Sequence, residues 1–404
     1  MENPKIRFKG FTKDWEQRRF GEITELKSAS RVHKDEWTSN GVPFYRSSDV
    51  MTAINGTENE KAFISEELYE KLSKVSGKLE EGDILVTGGG SVGNPYIVPD
   101  NKPLYTKDAD LLWIKNKGKF HPYFLYEFFF SPTFRNYLGS ISHVGTIAHY
   151  TITQLSDTPI GLPIFEEQKE VGEYFQSLDR LITLHQRKCD QTKNLKKYML
   201  QKMFPQNGAK VPEIRFDGYT YDWEQRKLGE LVKEGILEAP LDGNHGEKHP
   251  TSDEYVDSGI PFLMASDIHN GEVNIYSCKY ITKERAERLD KGFARNGDVL
   301  LTHKATIGET AILSNLMTEY AMLTPQVTYY RIKNEERLNR EYLYSFFNSL
   351  DFQTELKTKA AQSTRPYIGI TAQQNLKIIL PAEIDEQIRI GLYFRNLDHL
   401  ITLH

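Results

Sequence analysis

The sequence has little of what marks several large classes of protein. Only two cysteines occur among 404 residues, Cys189 and Cys278, and neither lies in a CxxC pattern. A disulfide scaffold and a cysteine zinc site therefore lack support, and a reducing cytoplasm fits this usage. No apolar run approaches the ~18 residues that a transmembrane helix requires, and the charged start MENPKIRFKG lacks the apolar core of a secretory signal. We expect a cytoplasmic protein without a membrane partner.

A basic charge balance is also absent. Lysine and arginine total 51 against 56 aspartate and glutamate residues, which gives a formal net charge of −5. Nucleic-acid binding gains no support from the overall charge, so any such binding must come from local basic surfaces. The 39% hydrophobic and 12% aromatic residues are typical of globular proteins. The length allows two or three domains.

Motifs of common catalytic sites are missing as well. Neither a GxxxxGK[ST] loop nor an HExxH motif occurs. His245 and His249 have the i, i+4 spacing of a helical metal site, but they lie in a loop-forming sequence without a recognisable third ligand. Asn94-Pro95-Tyr96 lacks the second proline of the amino-methyltransferase motif. We expect this chain to bind no metal and no cofactor and to have no catalytic residue.

What the sequence does contain is an internal duplication. Residues 4–23 read PKIRFKGFTKDWEQRRFGEI and residues 212–231 read PEIRFDGYTYDWEQRKLGEL, with 13 identities in 20 positions. Further paired motifs follow in the same order along both halves. They are GVPF at 41–44 and GIPF at 259–262, GDILVT at 82–87 and GDVLLT at 297–302, FLYEFF at 124–129 and YLYSFF at 342–347, EQ at 167–168 and 386–387, and LITLH at 181–185 and 400–404.

A long helix is predicted between the two copies. No proline occurs between Pro163 and Pro205, and Gly172 is the only glycine in this stretch. The length predicts a helix of about 40 residues, roughly 60 Å long, and it begins again near Ile384 in a second copy that reaches residue 404. Apolar or semi-apolar residues at alternating steps of four and three approximate a coiled-coil seam, namely Val171, Phe175, Leu178, Ile182, His185 and Cys189.

These patterns predict a mixed α/β fold with a pseudo-two-fold internal repeat. Two similar α+β domains, at 1–162 and 206–381, would be joined by long antiparallel coiled-coil helices at 163–205 and 382–404, of which the second is the shorter. Within the first domain, segments 83–87 and 111–115 predict strands, and 122–130 predicts a helix.

Residues 87–93, TGGGSVG, form the most suggestive local motif, because a glycine run can expose backbone N–H groups to a phosphate. The equivalent stretch at 302–308, THKATIG, keeps the flanking threonine and glycine but replaces the glycine run. A cofactor cradle would hardly change in this way between copies. We interpret the motif as a tight loop with a variable tip, and a plain turn and a DNA-contacting loop are about equally favoured.

Candidate DNA contacts lie in basic or hydroxyl-rich loops, because such side chains bind phosphates and base edges and aromatic rings stack on bases. For any single residue a solvated loop is favoured by about three to one. The candidates are Arg31, His33, Lys34, Arg46, Ser48, Thr87, Ser91, His143, Thr146, His149, Tyr150, His245, Lys248, His249, Ser266, His303, Lys304, Thr364, Arg365 and Tyr367.

The order of these motifs resembles the specificity subunit of type I restriction–modification enzymes. The resemblance covers essentially the whole chain. It rests on the paired W-E-x-[RK]-[KR]-[LF]-G-E segments at 15–22 and 223–230, the paired G-[IV]-P-[FY] and G-D-[IV]-L segments, and the P-x-x-E-x-Q start of each helix, at 163–168 and, with one extra residue, at 381–387.

The resemblance implies two target-recognition domains, each reading one half of a bipartite DNA sequence, with the helices setting the gap. It implies double-stranded DNA and two methyltransferase subunits as partners, together with restriction and translocase subunits in the full complex. S-adenosylmethionine, ATP and Mg are then cofactors of those partners and not of this chain.

Two alternatives to this interpretation stay open. The chain could be a non-catalytic protein-binding scaffold that does not read DNA, in which case DNA would not be retained even at low salt. It could also be a nuclease or methyltransferase in its own right, which would require metal- or S-adenosylmethionine-dependent activity of the purified chain. Because the candidate loops differ between the copies, we expect any DNA target to be asymmetric.

Overall fold

A computed structural model describes residues 4–108, 110–141, 149–361 and 366–403. The chain divides into two compact units, Met1–Thr183 and Leu184–His404. The division falls inside the long helix, so each unit carries one part of it. Within the described residues, no helix has both the length and the apolar character needed to cross a membrane.

The first unit mixes short strands with helices, and its last helix continues into the second unit. A single 3₁₀ turn is described, at Lys34–Glu36. The strands are β1 (Glu16–Arg19), β2 (Leu26–Ser28), β3 (Trp37–Thr38), β4 (Val42–Tyr45), β5 (Ala62–Ile64), β6 (Ile84–Thr87), β7 (Pro95–Ile97), β8 (Tyr105–Thr106), β9 (Leu111–Ile114) and β10 (Pro159–Leu162). The helices are α1 (Phe20–Ile23), α2 (Ser47–Asn55), α3 (Glu66–Ser76), α4 (Pro122–Phe130), α5 (Pro132–Ile141), α6 (Ile152–Asp157) and α7 (Phe165–Lys202).

The second unit repeats this order with more strands. Its described 3₁₀ turns are Gly246–Lys248, Ser252–Glu254 and Ala265–Asp267. The strands are β11 (Glu224–Lys227), β12 (Leu241–Asp242), β13 (Tyr255–Val256), β14 (Ile260–Leu263), β15 (Ile268–His269), β16 (Glu272–Val273), β17 (Lys279–Ile281), β18 (Phe293–Ala294), β19 (Val299–Thr302), β20 (Thr310–Ile312), β21 (Ala321–Leu323), β22 (Val327–Tyr330) and β23 (Lys377–Leu380). The helices are α8 (Leu228–Lys233), α9 (Lys283–Glu287), α10 (Arg340–Phe347), α11 (Leu350–Ala360), α12 (Ile370–Gln374) and α13 (Ile384–Leu403).

The sheets of the two units have matching strand orders, although the second unit adds the strand β18 and the pair β15-β16. The sheet β2-β9-β6-β7 corresponds to β12-β22-β19-β20, and the pair β1-β10 corresponds to β11-β23. A third sheet, β3-β5-β4-β8, corresponds to β13-β17-β14-β21-β18, and in both the pairings β4 with β8 and β14 with β21 are parallel. The predicted mixed α/β fold with two similar α+β domains is confirmed. The helix predicted at 122–130 and the strands at 83–87 and 111–115 are confirmed by α4, β6 and β9.

The repeated G-D motif places a buried carboxylate just before β6 and β19. Asp83 accepts hydrogen bonds from Trp113 Nε1 at 2.8 Å and from the backbone N of Asn116 at 2.9 Å. Asp298 accepts from Arg331 Nε at 2.9 Å and from the backbone N of Arg295 at 2.7 Å. Because buried carboxylates are costly without such partners, the motif is repeated for a structural reason.

The repeated E-Q motif anchors the start of each long helix to its own unit. Glu167 at the start of α7 accepts two hydrogen bonds from the guanidinium of Arg7, both at 2.7 Å. Glu386 at the start of α13 binds Arg215 in the same bidentate way, at 2.7 and 2.8 Å. A bidentate guanidinium–carboxylate pair fixes orientation as well as distance. The helices are therefore held at a defined angle where they leave each unit.

A glycine near the second turn of each long helix permits close packing, of α7 against α4 and of α13 against α10. A Cβ at Gly172 would lie 2.9 Å from the backbone N of Phe124 in α4. A Cβ at Gly391 would lie 2.8 Å from the backbone N of Tyr342 in α10. Real Cβ atoms do not approach other atoms so closely, so both positions require glycine unless the helices move apart.

The predicted helix between Pro163 and Pro205 is confirmed by α7, and the second copy is confirmed by α13. In the second unit the two helices run antiparallel, because residues with increasing numbers along α7 contact residues with decreasing numbers along α13. The thiol of Cys189 lies 3.8 Å from the carbonyl O of Ile401. Lys196 forms an ion pair with Asp398, and Phe204, just beyond α7, stacks on Phe394.

The predicted coiled-coil seam is not buried along the first part of α7. Phe175 is 40% exposed and Ile182 is 66% exposed. In the part of α7 that belongs to the second unit, Cys189 of the same seam is buried. Val171, at the start of the seam, packs against the core of the first unit. Beyond it, α13 packs against the second part of α7, whereas the described residues place no such helix over Phe175 and Ile182.

Candidate nucleic-acid interface

The two loops that the sequence singled out have the same backbone frame. We call them the tip loops, at 87–94 between β6 and β7 and at 302–309 between β19 and β20. In the first, the backbone N of Gly93 donates to the carbonyl of Thr87 at 2.7 Å, and in the second Gly308 donates to Thr302 at 2.9 Å. The residues between these anchors differ. The letters at 89–93 also fit a GxSxG nucleophile elbow, but that elbow joins a strand to a helix, whereas this loop joins two antiparallel strands.

Each tip loop is also hydrogen-bonded to the segment just before a short helix, α6 in the first unit and α12 in the second. The backbone N of Tyr150 donates to the carbonyl of Gly88 at 2.8 Å, and the backbone N of Ile368 donates to that of His303 at 3.2 Å. The segments near 150 and 367, which hold equivalent places in the two copies, therefore contact the equivalent loop positions 88 and 303. This brings two stretches of candidate residues together in each unit.

Three candidate side chains are buried and do not reach the surface. Thr87 Oγ1 accepts a hydrogen bond from the backbone N of Asn94 at 2.8 Å. The hydroxyl of Tyr150 is hydrogen-bonded to Thr158 Oγ1, and burial raises the pKa of Tyr150. His303 is also fully buried. These side chains hold the loops in place, so we do not assign them DNA contacts, and the sequence pattern gave no sign of their burial.

The buried imidazole of His303 is held between two elements of the second unit. Its Nδ1 lies 3.1 Å from the carbonyl O of Ile368, which makes Nδ1 the protonated nitrogen. Its ring centroid lies 5.5 Å from that of Tyr367. Burial lowers the pKa of His303 to about 4, although the nearby carboxylate of Asp242 opposes this shift. The ring is therefore neutral near pH 7. It supports the tip loop from below, and Lys304 is exposed beside it.

An open cavity of about 340 Å³ lies beside this tip in the second unit. Its polar lining combines His245, His249 and Lys304 with Thr324 and Gln326. Hydrogen-bond donors and acceptors thus converge on one concave surface that carries an exposed lysine. Such a surface suits both phosphate and base-edge contacts.

The buried carboxylate of Asp242 lies behind this cavity and holds His245, which lines it. It accepts a hydrogen bond from His245 Nε2 at 2.7 Å and forms an ion pair with Lys291. Burial would raise the pKa of Asp242, but the bonds from Lys291 and His245 outweigh burial and hold the pKa below its usual value. Burial lowers the pKa of His249. The floor is thus charge-balanced, and Lys304 at the rim supplies the cation.

The remaining candidates of the second unit lie at the surface. Lys248 and Ser266 are exposed, and Lys248 forms an ion pair with Asp290. Tyr367 is 38% exposed and pairs with Lys304 through a single β-bridge. These side chains are accessible, and Lys304 and Tyr367 lie on adjacent segments.

In the first unit, Thr87 and Tyr150 are buried, Arg46 is held by internal contacts, and the other described candidates are exposed. The guanidinium of Arg46 binds Asp49 at 2.9 Å and the carbonyl of Glu60 at 2.5 Å, and it lies 5.4 Å from the ring of Trp37. The guanidinium of Arg46 is therefore held by internal contacts at the start of α2, and the R-x-x-D spacing was a signal of its pairing with Asp49. The exposed candidates are Arg31, His33, Lys34, Ser48, Ser91 and His149.

Four candidates, His143, Thr146, Thr364 and Arg365, lie outside the described residues. The sequence reasoning missed Thr324 and Gln326, which reach the cavity from the turn between β21 and β22. The duplication could have drawn attention to this turn. The equivalent turn of the first unit, between β8 and β9, carries the charged residues Lys107 and Asp110. Over the described part of the chain, no group of three or more His, Cys, Asp or Glu residues is arranged to hold a metal ion.

Comparison with known proteins identifies the architecture. The family model described as the type I restriction modification DNA specificity domain matches twice, at residues 12–194 and 221–404. The MjaVIII specificity subunit of a type I restriction enzyme from Methanocaldococcus jannaschii is 24% identical over 353 residues, covering 84% of this chain and 79% of the relative. The EcoBI specificity subunit from Escherichia coli is 24% identical over 281 residues, covering 64% and 56%.

Solved structures agree in fold. The S subunit of a type I restriction–modification system from M. genitalium matches with a TM-score of 0.60 at 13% identity, covering 99% of this chain and 93% of its own. A chain from a structure of type I R-M complex assembly matches with a TM-score of 0.53 at 20% identity, covering 97% and 92%. With two matched copies of the domain over most of its length, the chain belongs to the type I restriction–modification DNA specificity family and is a DNA-recognition subunit rather than an enzyme.

Proposed function

We propose that each α+β unit of this chain reads one half of an asymmetric, bipartite double-stranded DNA target. The observation that supports this most strongly is the contrast within the tip loops. The loops share their backbone hydrogen bonds, yet the exposed residues are Gly90 and Ser91 in one loop and Lys304, Ala305 and Thr306 in the other. A constant frame with different tips holds two readers in the same way and lets them prefer different sequences.

Local basic groups would supply the attraction to phosphate that the net charge of −5 does not. In the second unit this group is Lys304, with His245 lining the same cavity. In the first unit the exposed Arg31 and Lys34 have this role. Few cations per unit imply a modest salt dependence for the chain alone, so partner subunits would neutralise many of the phosphates.

The long helices would set the gap between the two half-sites. The 38 residues of α7 correspond to about 57 Å at 1.5 Å per residue. Groove edges that face one side of DNA recur about every 34–36 Å, so a helix of this length can enforce a fixed, non-specific spacer. Linking two short readings in this way raises the effective concentration of the second.

We further propose that the exposed apolar residues of these helices dock two methyltransferase subunits in the cytoplasm. Leu181 and Leu184 are both more than half exposed on α7. Those partners would use S-adenosylmethionine, and ATP and Mg would belong to the restriction and translocase subunits of the full complex. This chain would contribute recognition and assembly.

The test is to express the chain with its methyltransferase partner and map methylated adenines across a genome. We expect one bipartite motif with two different half-sites and a fixed gap. A continuous palindromic motif, or no methylation despite a folded complex, would contradict the proposal. Filter binding to random duplexes at low salt, with and without the partner, addresses the scaffold alternative, because a scaffold would retain no DNA in either case.

A further inference from the structure

The two tip loops share two positions with a left-handed backbone conformation. At the first position Gly90 has a φ of +72° and Ala305 has a φ of +69°. At the second position Gly93 has a φ of +77° and Gly308 has a φ of +96°. The conformation therefore belongs to the shared frame, and Ala305 is the only one of these four residues that is not glycine.

Glycine adopts this conformation without strain, whereas alanine does not, because its Cβ lies too close to the following carbonyl oxygen. Among the described residues, three others with positive φ are asparagines, whose short polar side chains can offset the strain by local hydrogen bonds, namely Asn207, Asn270 and Asn315. Lys117 also has a positive φ, and its side chain forms an ion pair with Glu25. Ala305 has no polar side-chain atom, so its strain is not offset in this way.

The methyl group of Ala305 contributes nothing to the core of the second unit. Ala305 is exposed and belongs to none of the hydrophobic clusters of the described residues, whereas Ile307, two positions later, packs against the core. Glycine at this position would give the same fold with less strain. Strained backbone of this kind is concentrated at binding and catalytic sites, so the methyl group of Ala305 calls for a role outside the fold.

Ala305 lies on the same surface as the groups that we propose to bind DNA. Lys304, just before it, lines the polar cavity together with Gln326. Lys304 is also joined to Tyr367 by a β-bridge, so a second segment supports the tip loop next to Ala305. The exposed methyl group is therefore presented on a supported backbone and not on a free loop.

We propose that Ala305 is a specificity-determining residue whose methyl group packs against the C5-methyl group of a thymine in the major groove. This inference rests on the proposed function, because it requires that the tip loop of the second unit reads DNA. A methyl group forms no hydrogen bonds, and thymine is the base that presents an apolar group at its major-groove edge. Gly90 has no side chain, so the tip loop of the first unit cannot read thymine in this way.

The first test compares the parent chain with Ala305→Gly, each expressed with the methyltransferase partner, by mapping methylated adenines across a genome. The parent should require a T·A pair at one position of one half-site. Ala305→Gly should accept other base pairs at that position, while the other half-site and the gap stay the same. Because glycine relieves the strain, the thermal midpoint of the variant should rise by about 1–3 °C.

The second test removes the methyl group from the DNA. The thymine identified by the map is replaced by deoxyuridine, which lacks only the C5-methyl group. Fluorescence anisotropy should show about three- to fivefold weaker binding of this duplex to the parent complex, as expected for one lost methyl contact. The complex with Ala305→Gly should bind the thymine and deoxyuridine duplexes equally.

Gly90→Ala is the matched control, because it introduces the same strain into the tip loop of the first unit. A Cβ at Gly90 would have no atom within 4 Å, so this variant should fold. Its thermal midpoint should fall by a few degrees. Its complex should keep the thymine requirement of the parent and the weaker binding of the deoxyuridine duplex.

Four outcomes would overturn the inference. A bipartite motif that is the same for the parent and Ala305→Gly would overturn it and leave the proposed function in place, whereas a parent without a bipartite motif would overturn both. A uniform loss of affinity in Ala305→Gly without a change in base preference would mean that the methyl group only restricts the loop. A lower thermal midpoint of Ala305→Gly would contradict the backbone strain from which the inference starts.

Discussion

In the second half of the chain the buried ring of Phe204 fills an aromatic groove beside Trp223, whereas the described residues leave the matching groove beside Trp15 open. The tip loops show a related contrast, since a shared backbone frame exposes Gly90 and Ser91 in one half and Lys304 in the other. Several residues that the halves share are buried, such as Asp83 and Asp298. These repeated residues hold the fold, and we propose that DNA recognition depends on exposed positions at which the halves differ.

The largest expected effect comes from emptying the filled groove. Phe204→Ala should destabilise the second unit by about 3–5 kcal/mol, because it removes a buried aromatic side chain and leaves a cavity. Phe175→Ala in the open groove should cost less than about 1 kcal/mol, because that ring is partly solvated. Urea unfolding of the full chain, with hydrogen exchange to separate the units, measures both changes. Equal losses would contradict the contrast between the grooves.

The shared frame should respond alike in both halves. Asp83→Ala should cost about 2–3 kcal/mol, because it leaves buried donors of Trp113 and Asn116 unpaired. Asp298→Ala should cost at least as much, since it also removes a partner of the Arg331 guanidinium. Hydrogen exchange of β6 and β19 in the two variants provides the measurement. If only one half responded, the motif would have a structural role in that half alone.

The acid response should differ between the halves. Burial holds the folded-state pKa of His303 at about 4, below the ordinary 6.5, so the unfolded chain takes up a proton first as the pH falls. The free energy of unfolding is therefore unaffected by this histidine above pH 6.5, and it decreases progressively as the pH falls from 6.5 to 4. Between pH 7 and pH 5 the loss should be about 2 kcal/mol.

The matching position in the first half, Gly88, has no titratable side chain, so its tip loop should lack this response. Comparing wild type with His303→Gln in urea unfolding at both pH values isolates the contribution of the imidazole. The same pH dependence in the two proteins would show that folding does not lower the pKa of His303.

The smallest effect concerns the exposed tip. Lys304→Ala should lower DNA affinity several-fold and reduce the salt slope of binding by about 0.9, as expected for one lost phosphate contact. Lys333 is the matched control, because it is an exposed lysine beyond the opposite end of β22. Fluorescence anisotropy across a salt series with a target duplex measures the slope. A Lys304→Ala slope equal to that of Lys333→Ala would remove Lys304 from the interface.

The periodic features could be predicted from the sequence, and the burial of single residues could not. The helix from Pro163 to Pro205 and the helix at 122–130 followed from local spacing and proline positions, and the duplication predicted the two similar domains. Phe204 in its groove is different, because its partners lie up to 190 residues away. The burial of Tyr150 depends in the same way on a hydrogen bond to Gly88, which no local pattern encodes.

The most direct test of separate reading by the two units is an exchange of residues 24–160 with the equivalent segment of another family member. Methylated adenines are mapped for the parent and the chimera, each with the same methyltransferase partner. We expect one half-site to change while the other half-site and the gap stay the same. A change in both half-sites, or a change in the gap, would contradict this expectation.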